Sequence, residues 1–453
     1  MSSHAARKTA LMIAYHFPPS NSVGMQRTVR FVRYLSDLGW QPVVLTAREQ
    51  DLVGTPLDRA WGERLPAALP VYRSRVWRPL RAALNLRDRW RRLRNWTEIS
   101  IQNLPATAAP SRQTWGQRWI DPWFMTPDEE IGWVPSAVWT GMRAVVQQKV
   151  DVLYTSGPPH STHLIGAVLK GLTRRPWVAD FRDPWTRRPW LQAADRRGRR
   201  YRLLVKLEAW LVRYADHVVL NTEPMAEEFR QFYAAEPRDK FTAIPNGYDP
   251  DTFSVLSVAD PPAAEPFTVT HAGSLYRRRD PRPLLDAVHR LRQQGVLQPG
   301  TFRLNLIGSL DPDFQVPERI QSLQLQDWVT LLPPVAYRDS LGYLARSHLL
   351  LLIQPDTHLQ VPGKLFEYLY LGKPILALTG AGATAELIHK HQLGSVVEPG
   401  QHTAIAATLG QYYQRFRRGE WEPIKCEEAL ARFHARDLTR QLVALFEQRR
   451  QAP

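Results

Sequence analysis

The chain has 453 residues, too many for one hydrophobic core and enough for two domains of roughly 200 residues each. With 44% hydrophobic and 23% charged residues it has the balance of a globular protein, which excludes a disordered or fibrous chain. A formal net charge of +16 calls for an anionic partner; no zinc-finger, RNP-type or P-loop pattern accompanies it, so phosphate groups or an anionic membrane surface are expected and nucleic acid is not.

In chain order, the apolar run at 10–16 (ALMIAYH), the turn FPPSNSVG and a helical pattern through Arg30, Phe31, Tyr34 and Leu35 predict strand, loop and helix. Gly39 is placed to end that helix before the strand PVVLT at 42–46, completing a βαβ unit. Residues 51–150 are rich in Trp and Arg and poor in strand patterns, and read as an insertion longer than a passive loop. Short strands follow at 151–155, 177–180, 217–221 and 241–244, separated by helical patterns, which predicts a parallel sheet covered on both faces. The stretch 254–266 (SVLSVADPPAAEP) loses periodicity and is the expected linker. A second series of strands is expected at 267–271, 302–307, 329–332, 349–353, 374–378 and 395–398, and a last helix at about 427–449 is placed to return to the first domain. The fold class is therefore α/β, two Rossmann-like doubly wound domains facing each other across a cleft.

No apolar run approaches the roughly 20 residues that cross a bilayer. The start, MSSHAARKTALMIAYHFPP, has an apolar stretch too short and too β-like for a secretory signal, so a cytoplasmic protein is expected. Cys426, the single cysteine, cannot form an internal disulfide and has no companions at metal-ligand spacing, which agrees with a reducing compartment and a packing role.

Five stretches in order resemble the family 4 type of GT-B glycosyltransferase, especially its bacterial polysaccharide-building members. They are the opening AYHFPPSNSVGMQRTVRFVRYLSDLGWQPVVLT, the pair TSGPPHSTH and VADFRDPW, the turn IPNGYDPDTF, the strand and loop HAGSLYRRRDPRPLLDA, and VPGKLFEYLYLGKPILAL. The resemblance implies a retaining transfer from a nucleotide-sugar donor, used as substrate, with no required metal and no cofactor. It implies an acceptor-side domain at 1–255, a donor-binding domain at 256–426 and a returning helix within 427–453.

Lys364 and Glu367 are the most informative residues. A helix starting after Pro362 and Gly363 would put Lys364 and free backbone N–H groups at its positive end, a cradle for a diphosphate. Glu367, nearly one turn on, could accept paired hydrogen bonds from a ribose, the role the resemblance implies for it. Both could instead be solvated charges at a helix start. The commonest family pattern has another glutamate eight places earlier; here that place is Leu359, so the donor sugar must be oriented otherwise, with Asp356, His358 and the backbone at 358–363 as candidates.

After the strand FTVTH, the small-residue turn Ala272, Gly273 and Ser274 allows close approach of a ligand, and three arginines follow at 277–279. Arg277 and Arg279 are candidates for stabilising the departing β-phosphate. Gly24 resembles the flexible glycine turn beneath the donor phosphates, with Arg27 close behind. Two further loops follow strands and should reach the cleft, one with His160 and His163, the other with Asp180, Arg182 and Asp183. The resemblance implies that one histidine lies beside the transferred sugar, and His160 is favoured; His163 is expected to pack on a helix. Asp180 and Asp183 are acceptor-side candidates, although an Asp before Pro184 can also be a turn former.

Arginine and tryptophan concentrate at 73–96 and 186–202, which fits either contact with the inner face of an anionic membrane or a solvated basic face. The expected function is retaining transfer to a glycan or lipid-linked acceptor in cell-surface polysaccharide synthesis. The alternatives are a non-catalytic nucleotide-sugar-binding scaffold and a nucleotide-sugar epimerase on the same fold.

Overall fold

The computed structural model describes residues 8–52, 54–55, 57–78, 126–188, 195–254, 265–276, 278–355, 358–424 and 426–451. The chain divides into two compact units, Met1–Val219 with Leu445–Pro453, and Leu220–Ala444.

The first sheet contains β1 (Lys8–Ala14), β2 (Trp40–Ala47), β3 (Val71–Ser74), β4 (Val152–Gly157), β5 (Trp177–Phe181), β6 (His217–Leu220) and β7 (Phe241–Ala243) in the order 3-2-1-4-5-6-7. Its central pairs run parallel. Between β1 and β2 lies α1 (Val23–Leu35), whose start is fixed by Ser22 Oγ accepting the Gly24 amide at 3.3 Å. Gly39 does not end this helix directly: a short 3₁₀ turn intervenes at Ser36–Leu38, and Gly39, at φ +81°, closes it by donating to Ser36 O.

The segment 51–150 is not wholly an insertion. Val71–Ser74 pairs with β2, and α2 (Val134–Gln148) packs beside the sheet, burying Ala137, Gly141, Ala144 and Val145. Residues 79–125 lie outside the described residues. Three more helices follow: α3 (Ser161–Thr173), α4 (Arg199–Tyr214) and α5 (Glu223–Phe232).

The second sheet is parallel throughout, with β8 (Phe267–Ala272), β9 (Phe302–Ile307), β10 (Val329–Leu332), β11 (Leu349–Ile353), β12 (Ile375–Leu378) and β13 (Gly394–Val397) in the order 10-9-8-11-12-13. The run LLLLI of β11 shows why an unbroken apolar sequence makes a strand here. Leu349, Leu351 and Ile353 enter one core cluster, Leu350 and Leu352 the other, so alternation sends successive side chains to two buried faces. The covering helices are α6 (Arg282–Gln293), α7 (Val316–Ser322), α8 (Tyr337–Ala345), α9 (Lys364–Leu371), α10 (Ala383–Lys390) and α11 (His402–Arg417). The order changes direction between β8 and β11, so the loops after these two strands meet at the switch point where doubly wound sheets bind ligands.

The final stretch is two helices, α12 (Glu427–Phe433) and α13 (Ala435–Gln451), where one was expected. The break is built by the turn at 246–249: the Tyr248 amide donates to Phe433 O at 3.1 Å, and the Ala435 amide donates to Tyr248 O at 2.9 Å. Near the end of α13, Phe446 packs on Trp40 and Tyr154, and Glu447 accepts from Trp40 Nε1 at 2.9 Å and Lys8 Nζ at 2.5 Å.

Candidate active site

The densest chemistry of the second unit gathers at the end of β8. Gly273 sits at φ +142°, a conformation that favours glycine, with its amide donating to Ile307 O at 2.8 Å. A Cβ there would collide with the Lys364 ammonium, which donates to Ala272 O at 2.9 Å. Gly308 is required for the matching reason, because a Cβ would strike the backbone of Gly273 and Ser274. Ser274 is exposed and accepts from Ser309 Oγ at 2.7 Å.

Arg279 returns to the same place. It donates to Gln354 Oε1 at 2.7 Å, across the switch point, and lies over the Tyr276 ring. Burial and the charge of Arg279 push the Lys364 pKa down to about 7, with Glu367 pulling the other way. Beneath them His271, bonded through Nδ1 to Leu351 O, is kept neutral mainly by burial and then by Lys364. Arg277 and Asp356, two of the sequence candidates, lie outside the described residues.

The N-terminus of α9 follows Gly363 as expected, but two of its first amides are already engaged: Leu365 donates to Pro362 O and Phe366 to Gly363 O. Anion binding here rests on the Lys364 side chain more than on a row of amides. Glu367, only 7% exposed, accepts from Tyr337 Oη at 2.5 Å, which fixes one carboxylate oxygen.

The loop before α9 is held from three sides. Thr222 Oγ1 donates to Leu359 O, the Ala383 amide to His358 O at 2.9 Å, and Thr384 Oγ1 to Gln360 O at 2.9 Å. His358 Nδ1 lies 2.6 Å from Ala381 O. A carbonyl only accepts, so Nδ1 carries the hydrogen and Nε2 of the neutral ring is an acceptor. The side chain is exposed. A neighbouring recess of about 560 Å³, lined by Gly380, Glu386, His389 and Glu398 among others, does not include Lys364, Glu367 or Arg279.

In the first unit, the structure corrects two expectations. Asp180 is fully buried, with Arg27 Nε donating to Oδ2 at 2.6 Å, Arg27 Nη2 to Oδ1 at 3.1 Å, and the Tyr154 hydroxyl also to Oδ2. A carboxylate used this way is an internal strut, so it does not present itself to an acceptor. His160 is 1% exposed and stacked on Trp185, ring centroids 4.5 Å apart. Burial holds its pKa well below the ordinary value, and neither ring nitrogen has a hydrogen-bond partner among the described residues. It packs where a sugar contact was expected. His163 also packs, against Phe181, with Nδ1 at 2.9 Å from Thr155 Oγ1.

Gly24 and the DFRDPW loop do come together. Arg182 donates to Gly24 O and to Pro158 O, and a Cβ on Gly24 would lie 2.7 Å from the Arg182 guanidinium. Close approach of Arg182 is therefore what this glycine permits. Asp183 remains partly exposed beside Arg182, at 3.9 Å from Nε.

Sequence reasoning missed Gln354 and Tyr337, the partners of Arg279 and Glu367. Gln354 stands directly after β11 at the switch point, a signal that could have found it; Tyr337 lies 30 residues from Glu367 and left none. It also missed Asp128, which caps α3 by accepting from the Ser161 amide at 2.9 Å, and Glu130 nearby, whose pKa burial and Asp128 raise to about 7.

Two domain families match the sequence in tandem: glycosyl transferase 4-like domain over residues 100–247 and glycosyl transferases group 1 over 266–415. No curated protein matches it. Among solved structures, Anabaena HepE in complex with UDP is similar with a TM-score of 0.61 and 16% identity, covering 97% of this chain and 100% of that one. WaaG, a glycosyltransferase involved in lipopolysaccharide biosynthesis, has a TM-score of 0.54 and 14% identity, covering 97% and 99%. An epimerase-type protein of Listeria monocytogenes, described as a UDP-N-acetylglucosamine 2-epimerase, has a TM-score of 0.57 and 11% identity, covering 97% and 96%. These identities speak to fold, and the two domain families to kind: the chain belongs to the family 4 type of GT-B glycosyltransferases.

Proposed function

We propose that this glycosyltransferase is a retaining enzyme that takes a sugar from a nucleotide diphosphate donor held by the second unit and passes it to a glycan or lipid-linked acceptor in cell-surface polysaccharide synthesis. The observation that carries the reading is the pair of cations, Lys364 and Arg279, drawn to the Gly273 turn with Glu367 one helical turn on. The two cations offset the charge that develops on the β-phosphate as it leaves. Glu367, anchored by Tyr337, keeps an oxygen for the ribose hydroxyls. No resident metal or cofactor is assigned.

In the proposed step the acceptor hydroxyl oxygen bonds to the anomeric carbon while the bond from that carbon to the phosphate oxygen breaks. The proton of the hydroxyl passes to the departing phosphate on the same face, which conserves configuration. The protein contributes position and charge, and His358 Nε2 offers the acceptor function that a glutamate at 359 would have supplied to the donor sugar. The bound UDP of HepE makes a UDP-sugar the first donor to test.

Transfer should be assayed with UDP-, GDP- and ADP-sugars and an oligosaccharide or lipid-linked acceptor. Glu367→Ala is expected to weaken donor binding by about a hundredfold, the loss of a charge-assisted pair of hydrogen bonds, with the folded circular dichroism spectrum retained. Unchanged turnover in that variant would sink the assignment. Leu359 gives one specific reason for a second reading, a binding protein without turnover. Donor binding with no transfer to any acceptor would favour that reading, and interconversion of donors without acceptor would favour an epimerase.

A further inference from the structure

Helices α2, α3 and α4 lie side by side over one face of the first sheet, the middle one packed against both neighbours. Across all three the sequence has a single acid, Glu208, and it is fully buried, accepting from the Thr186 amide at 2.9 Å and pairing with Arg187 at 2.7 Å. The exposed charge of this layer is therefore entirely positive, carried by Arg143, Arg199, Arg200, Arg202, Lys206 and Arg213.

The same layer holds Trp139, Val146, Val168, Leu172, Leu203 and Trp210, six of the ten large apolar side chains exposed among the described residues. Trp139 and Val146 are 71% and 72% exposed. Single exposed apolar residues need no explanation, but these recur at helical spacing: 139, 143 and 146 on α2, 168 and 172 on α3, and 203, 206, 210 and 213 on α4. Each stripe is turned away from residues its helix buries, such as Ala137, Gly166 and Val212. Basic and apolar side chains thus alternate over one continuous outward face.

A second copy of the same face would bring positive against positive, and a nucleic acid backbone would leave the valines and leucines unused. A surface of phosphate headgroups over acyl chains uses both kinds of side chain: guanidinium pairs with lipid phosphate, and tryptophan settles at the headgroup level. No helix among the described residues is long and apolar enough to cross a membrane, so such contact would be planar. We propose that the outer face of α2, α3 and α4 docks flat on an anionic lipid bilayer. The proposal does not depend on the transfer reaction, because it needs neither donor nor acceptor.

The test is sedimentation of the full chain with vesicles of phosphatidylcholine alone or mixed with phosphatidylglycerol, at low and high salt. Binding is expected only to the mixed vesicles and should weaken as salt rises. Arg199→Gln/Arg200→Gln/Arg202→Gln should lose about fivefold per charge, roughly a hundredfold together. Trp139→Gln/Trp210→Gln keeps every charge and should still lose about tenfold or more. Thermal unfolding of the variants checks that they fold. The proposal fails if the wild type stays in the supernatant with both vesicles, or if the folded variants bind as it does. It fails equally if the tryptophan variant abolishes self-association without affecting vesicle binding, or if the chain binds duplex DNA but no vesicle.

Discussion

Lys364 holds its proton weakly because burial and Arg279 oppose the charge, and a diphosphate placed beside it would reverse that balance. The sign of the resulting pH dependence can be worked out. In the free protein Lys364 titrates near 7; with an anion bound its pKa rises, so binding takes up a proton above pH 7. Donor affinity should therefore be flat below about pH 7 and fall as pH rises above it. An intact nucleotide sugar is the right probe, since its diphosphate lacks the terminal ionisation near about 6 that a free terminal phosphate brings. Calorimetry in buffers of different ionisation enthalpy would read the proton directly; an affinity constant between pH 6.5 and 9 (roughly the range set by the lysine shift) would count against Lys364 as the diphosphate ligand. Gly273→Ala should act on the same atom by another route. The new methyl occupies the ammonium's place, at a φ that alone costs about 1 kcal/mol or more, so donor affinity should fall at least tenfold while Lys364 itself is untouched.

At the scale of elements, Arg27, Asp180 and Tyr154 tie α1, β5 and β4 together through one buried carboxylate. Asp180→Ala would leave the Arg27 charge in the interior without its carboxylate, and a destabilisation of about 3–5 kcal/mol is expected, read as a lower urea midpoint. If Asp180 instead served the acceptor, the variant would keep its midpoint and lose only turnover. Most strands were readable because they are apolar runs bounded by Gly, Pro or a charged cluster, and α9 was readable because Gly363 and Gly372 punctuate it. What it could not display was contact across the chain. His160 is the same letter whether a sugar or Trp185 covers its ring, and Asp180 whether Arg27 or a ligand claims it. The break at His434 was hidden for a similar reason: nothing in 427–449 marks it, since the groups that interrupt the helix belong to Tyr248, far back in the chain. Val71–Ser74 escaped notice because only one of its four side chains is buried, so it lacks the apolar run that flagged its neighbours.

Taken as a whole, the molecule has two compact units, and α13 contributes to both, its last residues belonging with the first. Phe446, fully buried against Trp40 and Tyr154, and Glu447, bonded to Trp40 and Lys8, are among the contacts those residues make, with Arg449 to His217 and Arg450 to Asp151 beside them. A chain ending at Ala444 loses them all. Removing Phe446 alone should cost about 3–5 kcal/mol, a large part of the stability of a single unit. The proposed donor ligands, Lys364, Arg279 and Glu367, all lie in the second unit and gain nothing from these contacts. Hydrogen exchange in the shortened chain should therefore rise in Lys8–Ala14 and Trp40–Ala47 and stay unchanged in Phe267–Ala272 and Leu349–Ile353. Nucleotide sugar at about a hundred times its Kd should still stabilise the second unit by about 2.7 kcal/mol. Loss of that stabilisation on truncation would mean that donor binding depends on the first unit, and that the ligands named for the second are not sufficient.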